Sequence, residues 1–239
     1  MTSTRGEVLY EGKAKQLYPG PEPGQYIMHF KDSATAFNAK KRAEIEKKGP
    51  LNLKICSRIF EYLARNGVES HFIKVLNERE MLVRSVTIVP LEVVVRNITA
   101  GSLCKRLGVP EKKPINPPLV EFFLKNDALD DPLLTDDHVR MLGIADDREI
   151  AELKKRALQV NSLIGRFFKE LGIVLVDFKI EFGRTKEGKL LLADEITPDG
   201  CRLWDAKTME ILDKDRFRKD LGGLTEAYEE ILRRIEAAR

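Results

Sequence analysis

The residues Leu175–Gly183, LVDFKIEFG, alternate with a period of two. Side chains two apart in a β-strand share a face. Phe178, Ile180 and Phe182 therefore form an apolar side, and Asp177, Lys179 and Glu181 a charged one. The turn-like RTKEG follows, then a second strand-like run, KLLLADEIT. Read as an antiparallel hairpin, the two runs commit the chain to a fold built on a sheet. Pairing Phe182 with Lys189 sets Lys179 opposite Leu192 and Asp177 opposite Asp194. Asp194, Leu190 and Leu192 then join the charged face. Two leucines there imply a covered face, where charge is costly unless paired. Three carboxylates and an ammonium converging in a cleft would suit Mg²⁺, which takes oxygen ligands and usually arrives with nucleotide phosphates. A half-buried strand with its polar face in water gives the same alternation, so the hairpin alone does not choose.

The flanking sequence is mixed. Leu51, Ile55, Ile59 and Leu63 mark a helix ended by Asn66-Gly67. Ile150, Leu153, Ala157, Val160, Ile164, Phe167 and Leu171 mark a longer one before Gly172. Leu224, Tyr228, Ile231 and Ile235 mark a third at the C-terminus. GEVLYEG, KQLY, QYIMHFK, HFIKVL, EMLVRSVTIV and LEVVVRN read as strands. Pro90 breaks the last two and suggests a crossover between lobes. PEKKPINPPLVEFFLKNDALDDP and PDGCRLWD read as loops. This is an α+β pattern, and 239 residues fit one large domain or two small lobes.

Several function classes recede. Forty-one Lys and Arg against 38 Asp and Glu is too balanced for a nucleic-acid binder. Cys56, Cys104 and Cys201 form no CxxC pair, which suggests reduced thiols in the cytoplasm. No signal core or membrane-spanning run is evident. His29, His71 and His138 are scattered, giving little support to a His-rich zinc site or triad. GRTKEGK imitates a P-loop, but Leu190 and a strand follow where Ser or Thr and a helix are needed. DKDRFRKDLGG starts like a calcium loop and then places Phe217 and Arg218 where an EF-hand needs an oxygen ligand and glycine.

Two stretches could hold phosphate. Gly12, Lys13, Ala14 and Lys15 lie between short strands, a pattern shared with ordinary basic hairpins. In RNITAGSLCKRLG, a strand ends at Arg96, and Ser102 could cap a short helix closed by Gly108. Lys105 and Arg106 read as a solvated helix face.

IVPLEVVVRNITAGS and LVDFKIEFG resemble the two signature segments of the SAICAR synthetase family. YEGKAKQLY, NPPLVEFFLKNDALDDP, DEITPDGCRLWD and DKDRFRKDLGG follow the same family pattern in order, from Val8 to the last helix. KDSATAFNAKK resembles the family's loop over the active site, with Ala39 where many members carry glycine. If that position needs a positive φ, alanine costs something there.

The resemblance implies a small kinase-like β-rich lobe (residues 1–89) and a larger ATP-grasp-like lobe (residues 90–239), with the active site between them. It implies a cytoplasmic ligase that joins L-aspartate to the carboxylate of a carboxy-aminoimidazole ribonucleotide (CAIR) at the expense of ATP. Small-molecule partners, no nucleic acid, no membrane and a homo-oligomer, a dimer before others, are expected. In this reading Lys13, Ala14 and Lys15 hold the ATP phosphates, and Val89 to Val93, with Val89 and Leu91, offer backbone groups to adenine. Glu181 and Asp194 bind Mg²⁺. Asp177 and Lys179 act at the CAIR head group, and Arg96, Ser102 and Arg202 hold its phosphate. Lys125 is placed near nucleotide and Asp131 near substrate. Two rivals stay open: a small-molecule kinase, separated by whether ADP release needs aspartate, and a nucleic-acid-binding module, testable by a salt-dependent mobility shift.

Overall fold

The computed structural model describes residues 6–36 and 41–238. Ala39 lies outside the described residues. The chain opens with β1 (Tyr10–Glu11), β2 (Lys15–Pro19) and β3 (Gln25–Phe30), an antiparallel meander. A separate hairpin follows, β4 (Ser33–Ala36) and β5 (Lys41–Glu44). Helix α1 (Lys48–Arg65) buries Leu51, Ile55, Ile59 and Leu63, the stripe that its sequence spacing marks. Next come β6 (Phe72–Asn77) and β7 (Glu80–Arg84), which complete a five-stranded sheet in the order β1-β2-β3-β7-β6.

The second sheet is larger. Its strands are β8 (Thr87–Ile88), β9 (Leu91–Ile98), β10 (Pro114–Leu124), β11 (Leu133–Leu134), β12 (Ile173–Arg184), β13 (Leu190–Ala193) and β14 (Cys201–Asp205). Between them run α2 (Ser102–Leu107), α3 (Asp136–Met141) and α4 (Asp147–Glu170), and α5 (Asp215–Arg218) and α6 (Leu224–Ala237) close the chain. Strand β12 is central. Its one edge pairs with β9 and then β8; the other pairs with β14 and then β13. Phe178, Ile180 and Phe182 enter a hydrophobic core shared with α1, α4 and α6, as the alternation requires.

Four expectations change. The loop of the β12–β13 hairpin is three residues long, closed by Thr185 and Lys189 with Gly188 at φ 79°, as three-residue hairpins ending in a left-handed glycine do. Phe182 therefore pairs with Leu192 and not with Lys189. The shift is odd, so Leu190 and Leu192 turn into the core beside Phe182 rather than onto the charged face. PINPPLVEFFL is a strand, not a loop: its prolines fall at the first position and within a register shift between Pro114 and Leu119, where no regular ladder is broken. CRLWD is also a strand, pairing Arg202 with Asp177. Ser102 does not cap α2, whose N-cap is Gly101.

Gly183 shows how tightly β12 and β8 meet. A Cβ there would stand 2.4 Å from Val86 Cγ2. Gly183→Ala is expected to lower stability by about 1–3 kcal/mol through overpacking, read as a fall in the urea midpoint at unchanged slope.

Candidate active site

The polar face of the large sheet looks into a cleft of about 1330 Å³. Its walls include the Gly12–Lys15 turn, the β4–β5 hairpin, and Asp177, Lys179, Asp194 and Arg202. Directly paired residues of antiparallel strands point to the same side. Asp177 pairs with Arg96 of β9 and with Arg202 of β14, so two guanidiniums converge on one carboxylate.

This begins an ion ladder across the sheet. Arg96 Nη1 donates to Asp177 Oδ2 at 3.1 Å, and Arg202 Nη1 to the same oxygen at 2.8 Å. Arg96 Nε reaches Glu121 at 2.5 Å, and Glu121 also meets Arg106. Arg202 Nε donates to Asp215 at 2.9 Å, which receives Arg218 at 2.6 Å. Four guanidiniums against three carboxylates leave a positive excess. Arg106 thus joins the ladder from the exposed helix face on which its sequence places it. Ser102 Oγ accepts from Arg96 Nη2 at 3.3 Å. It is exposed and is not among the cleft walls. Burial opposes the Arg202 charge, but Asp177 and Asp215 outweigh it and hold its pKa above the usual range.

One turn of the alternation away, the sign reverses. Lys179 Nζ donates to Glu181 at 2.9 Å and to Asp194 at 3.2 Å, and lies 3.5 Å from Glu92. Lys125 Nζ donates to Glu181 at 2.6 Å. Lys15 meets both Asp194 and Glu195. Three ammoniums face four carboxylates. Burial alone would lower the Lys179 pKa, yet Glu181, Glu92 and Glu195 hold it above the ordinary lysine value. Burial would likewise raise Glu181, but Lys179, Lys125 and Lys15 hold it down at about 2.

Asp194 reaches this cluster by a route that strand parity does not provide. The β12–β13 ladder ends at Glu181 opposite Ala193. Asp194 then takes φ 61°, and that left-handed step turns its carboxylate to Lys179. Asp is among the residues that tolerate this conformation. Its carbonyl oxygen is bound at 2.8 Å by Nε2 of buried His71.

A third cluster joins the wall to the helices. Asp199 accepts from Tyr228 Oη at 2.6 Å and Asn52 Nδ2 at 3.2 Å, and pairs with Lys48 Nζ at 2.5 Å. Burial opposes ionisation of Asp199, but Lys48 and Lys214 hold its pKa at about 2.

Most residues singled out in the sequence meet here. Lys13, Ala14, Lys15, Arg96, Lys125, Asp131, Asp177, Lys179, Asp194 and Arg202 line the cleft, and Glu181 lies just beneath. Lys13 bridges to Asp127 at 2.7 Å, joining the glycine–lysine turn to the segment after β10. Asp131 is turned inward to its own loop, where it accepts from Asn126 N at 2.8 Å. Val89 and Leu91 do not face the cleft. Both are 1% exposed, and their amides donate to Phe182 O and Val89 O, because this segment closes the edge of β12. Neither amide is open to adenine. Glu92, Glu195, Lys214 and Arg218, which sequence reading passed over, line the cleft too. Glu92 and Glu195 had a signal: each lies within a run, LEVVVRN or KLLLADEIT, that the sequence already marks as a strand leading to site residues.

Among the described residues, no three His, Cys, Asp or Glu side chains converge as a metal cage. Glu181 and Asp194 instead flank the Lys179 ammonium. Two carboxylates with a negative local excess fit Mg²⁺, which binds through one or two carboxylates together with substrate phosphates. They do not fit a resident metal held by protein alone.

Residues 8–235 match the family model described as SAICAR synthetase. The chain is 56% identical over 230 residues to the phosphoribosylaminoimidazole-succinocarboxamide synthase of Persephonella marina, covering 96% of each. It is similar to the crystal structure of the Ehrlichia chaffeensis enzyme of that name, with a TM-score of 0.94, 44% identity and coverage of 97% of this chain and 99% of that one. It is also similar to a SAICAR synthetase in complex with ADP, with a TM-score of 0.92, 48% identity and coverage of 96% and 97%.

Proposed function

The chain belongs to the SAICAR synthetase family and catalyses its ligase step in purine biosynthesis, and we propose that the two charge clusters of the cleft divide that reaction between them. The substrates are ATP, CAIR and L-aspartate; the products are SAICAR, ADP and phosphate. The observation that carries this division is the reversal of charge excess along β12: positive around Asp177, negative around Lys179 and Glu181.

A carboxylate is a poor acyl donor, since its leaving group would be oxide. Transfer of the γ-phosphoryl group of ATP to a CAIR carboxylate oxygen gives an acyl phosphate and ADP. The aspartate amine then attacks the acyl carbon, the C–N bond forms, and phosphate leaves with the former carboxylate oxygen. The protein contributes positioning and fixed charge.

The arginine cluster suits the CAIR phosphate. Arg96 and Arg202 hold it, with Ser102 beside Arg96, and Asp177 keeps both guanidiniums aimed. The Gly12–Lys15 turn and Lys125 hold the ATP phosphates. Glu181 and Asp194 hold Mg²⁺, which would neutralise charge on the phosphate oxygens. Lys179 orients the reacting carboxylate, and Asp131 stays at the substrate side. The two sheets correspond to a kinase-like lobe, residues 1–89, and an ATP-grasp-like lobe, residues 90–239. The strand sets part between β7 and β8, so β8 (Thr87–Ile88) goes with the larger sheet although it precedes residue 90. Among the described residues no helix is long and apolar enough to cross a membrane. We place the enzyme in the cytoplasm, as a homo-oligomer, a dimer before others.

The test is ADP release with CAIR, with and without L-aspartate. Turnover is expected only with all three substrates. Steady ADP release without aspartate would make the protein a kinase and overturn the ligase assignment.

Arg202→Ala is expected to raise KM for CAIR about ten- to a hundredfold, from loss of roughly 1.5–3 kcal/mol of charge-assisted contact. The fold should survive, because Asp177 keeps Arg96 and Asp215 keeps Arg218. An effect confined to KM for ATP would move Arg202 to the nucleotide.

A further inference from the structure

We infer that His71 is a positioning residue that holds Asp194 in its left-handed conformation, an inference that rests on the assignment of Asp194 to the metal. The backbone around Asp194 explains the need. On one edge, β13 pairs with β12 only as far as Ala193. On its other edge runs the segment before β6. Leu192 N donates to Glu69 O at 3.2 Å, and Leu192 O accepts from His71 N at 2.8 Å, with Ser70 bridging Leu192 in parallel. The next acceptor in that ladder is the Asp194 carbonyl. Among the described residues no main-chain N–H reaches it; the His71 ring supplies the donor, Nε2 to Asp194 O at 2.8 Å.

Several features fix that donor. A carbonyl oxygen only accepts, so Nε2 carries the proton. The ring is 3% exposed and sits edge-on to Phe60, centroids 5.6 Å apart at 62°. Its main chain is pinned by its own N–H to Leu192 and by Arg84 N, which donates to His71 O at 2.7 Å. A non-glycine residue stays at positive φ only where its surroundings hold it. For Asp194, that hold decides whether the carboxylate faces Lys15 and Lys179 or turns with Ile180 toward the core. His71 therefore couples the strand pair β6–β7 to the carboxylate end of the cleft without touching substrate. Its relation to Asp194 is that of an outer partner to a metal ligand, and losing such a partner typically weakens metal affinity about 10–100-fold.

The experiment titrates Mn²⁺ into the ADP-bound full-length protein by electron paramagnetic resonance, for wild type, His71→Phe, His71→Gln, His71→Asn and Asp194→Asn. His71→Phe is expected to weaken Mn²⁺ by about tenfold and to raise the Mg²⁺ requirement of turnover, with KM for CAIR unchanged. Glutamine, whose amide N–H stands near the position of Nε2, should restore most of the affinity; asparagine, too short, should not. Should His71→Phe fail to fold, the Gln and Asn variants carry the comparison. Wild-type affinity in His71→Phe, or equal affinities for His71→Gln and His71→Asn, overturns the inference while leaving the metal assignment standing. Wild-type affinity in Asp194→Asn removes the metal assignment, and the inference with it.

Discussion

Asp194→Asn is expected to lower kcat by about 10²–10³, the scale of removing one preorganised electrostatic partner of a transferring group, while the thermal unfolding transition stays cooperative. Asparagine is the informative substitution because it too accepts the left-handed conformation that Asp194 adopts at φ 61°. Its side-chain oxygen and the backbone step survive, and one negative charge goes. Alanine would confuse the result by adding backbone strain. Glu181→Gln should behave alike, but with a larger stability cost. Glu181 is 1% exposed and is gripped by Lys125 and Lys179. Removing its charge leaves two half-buried ammoniums less compensated. Raising Mg²⁺ should partly recover the Asp194→Asn rate if the carboxylate serves the metal. Turnover and Mg²⁺ dependence unchanged in both variants would sink the metal assignment.

The sequence carried the face but not the register. The alternation of LVDFKIEFG placed Phe178, Ile180 and Phe182 in the core and grouped Asp177, Lys179 and Glu181, because period two is a property of the strand itself. The spacing of α1, α4 and α6 was equally legible, since each buries one wide apolar stripe. Register depended on the hairpin loop, and RTKEG fits loops of several lengths. Three residues were used, the parity inverted, and Asp194 arrived through a left-handed step that Ala-Asp-Glu does not announce. Leu190 and Leu192, which the other register would set on the charged face, pack instead against the core. The cover over the charges comes from sequence-distant pieces: the Gly12–Lys15 turn and the β4–β5 hairpin. Only the family resemblance puts Arg202 beside Arg96. It stands there because β14 pairs it with Asp177, a long-range register that no local pattern encodes.

Lys179→Met is expected to reduce kcat at least as strongly as Asp194→Asn and to leave ATP binding nearly intact. Lys179 sits among Glu92, Glu181 and Asp194, and Glu181, Glu92 and Glu195 keep it an ammonium against the cost of burial. An ammonium held in that state does not remove a proton from the attacking amine. What it can do is hold the CAIR carboxylate and absorb negative charge as the phosphoryl group arrives, a contribution of fixed charge in a partly desolvated cleft. Methionine keeps the stem and packs similarly; only the charge is lost. ATP contacts, assigned to the Gly12–Lys15 turn and Lys125, are untouched. Lys179→Arg should rescue only in part, because a planar guanidinium does not reproduce a compact donor that bonds Glu181 and Asp194 at 2.9 and 3.2 Å. The deciding measurement pairs ATP affinity by calorimetry with single-turnover ADP formation in the same variants. ADP formed by Lys179→Met at the wild-type rate would reduce Lys179 to a counter-charge for its carboxylates. ATP affinity falling in step with the rate would instead place Lys179 on the nucleotide.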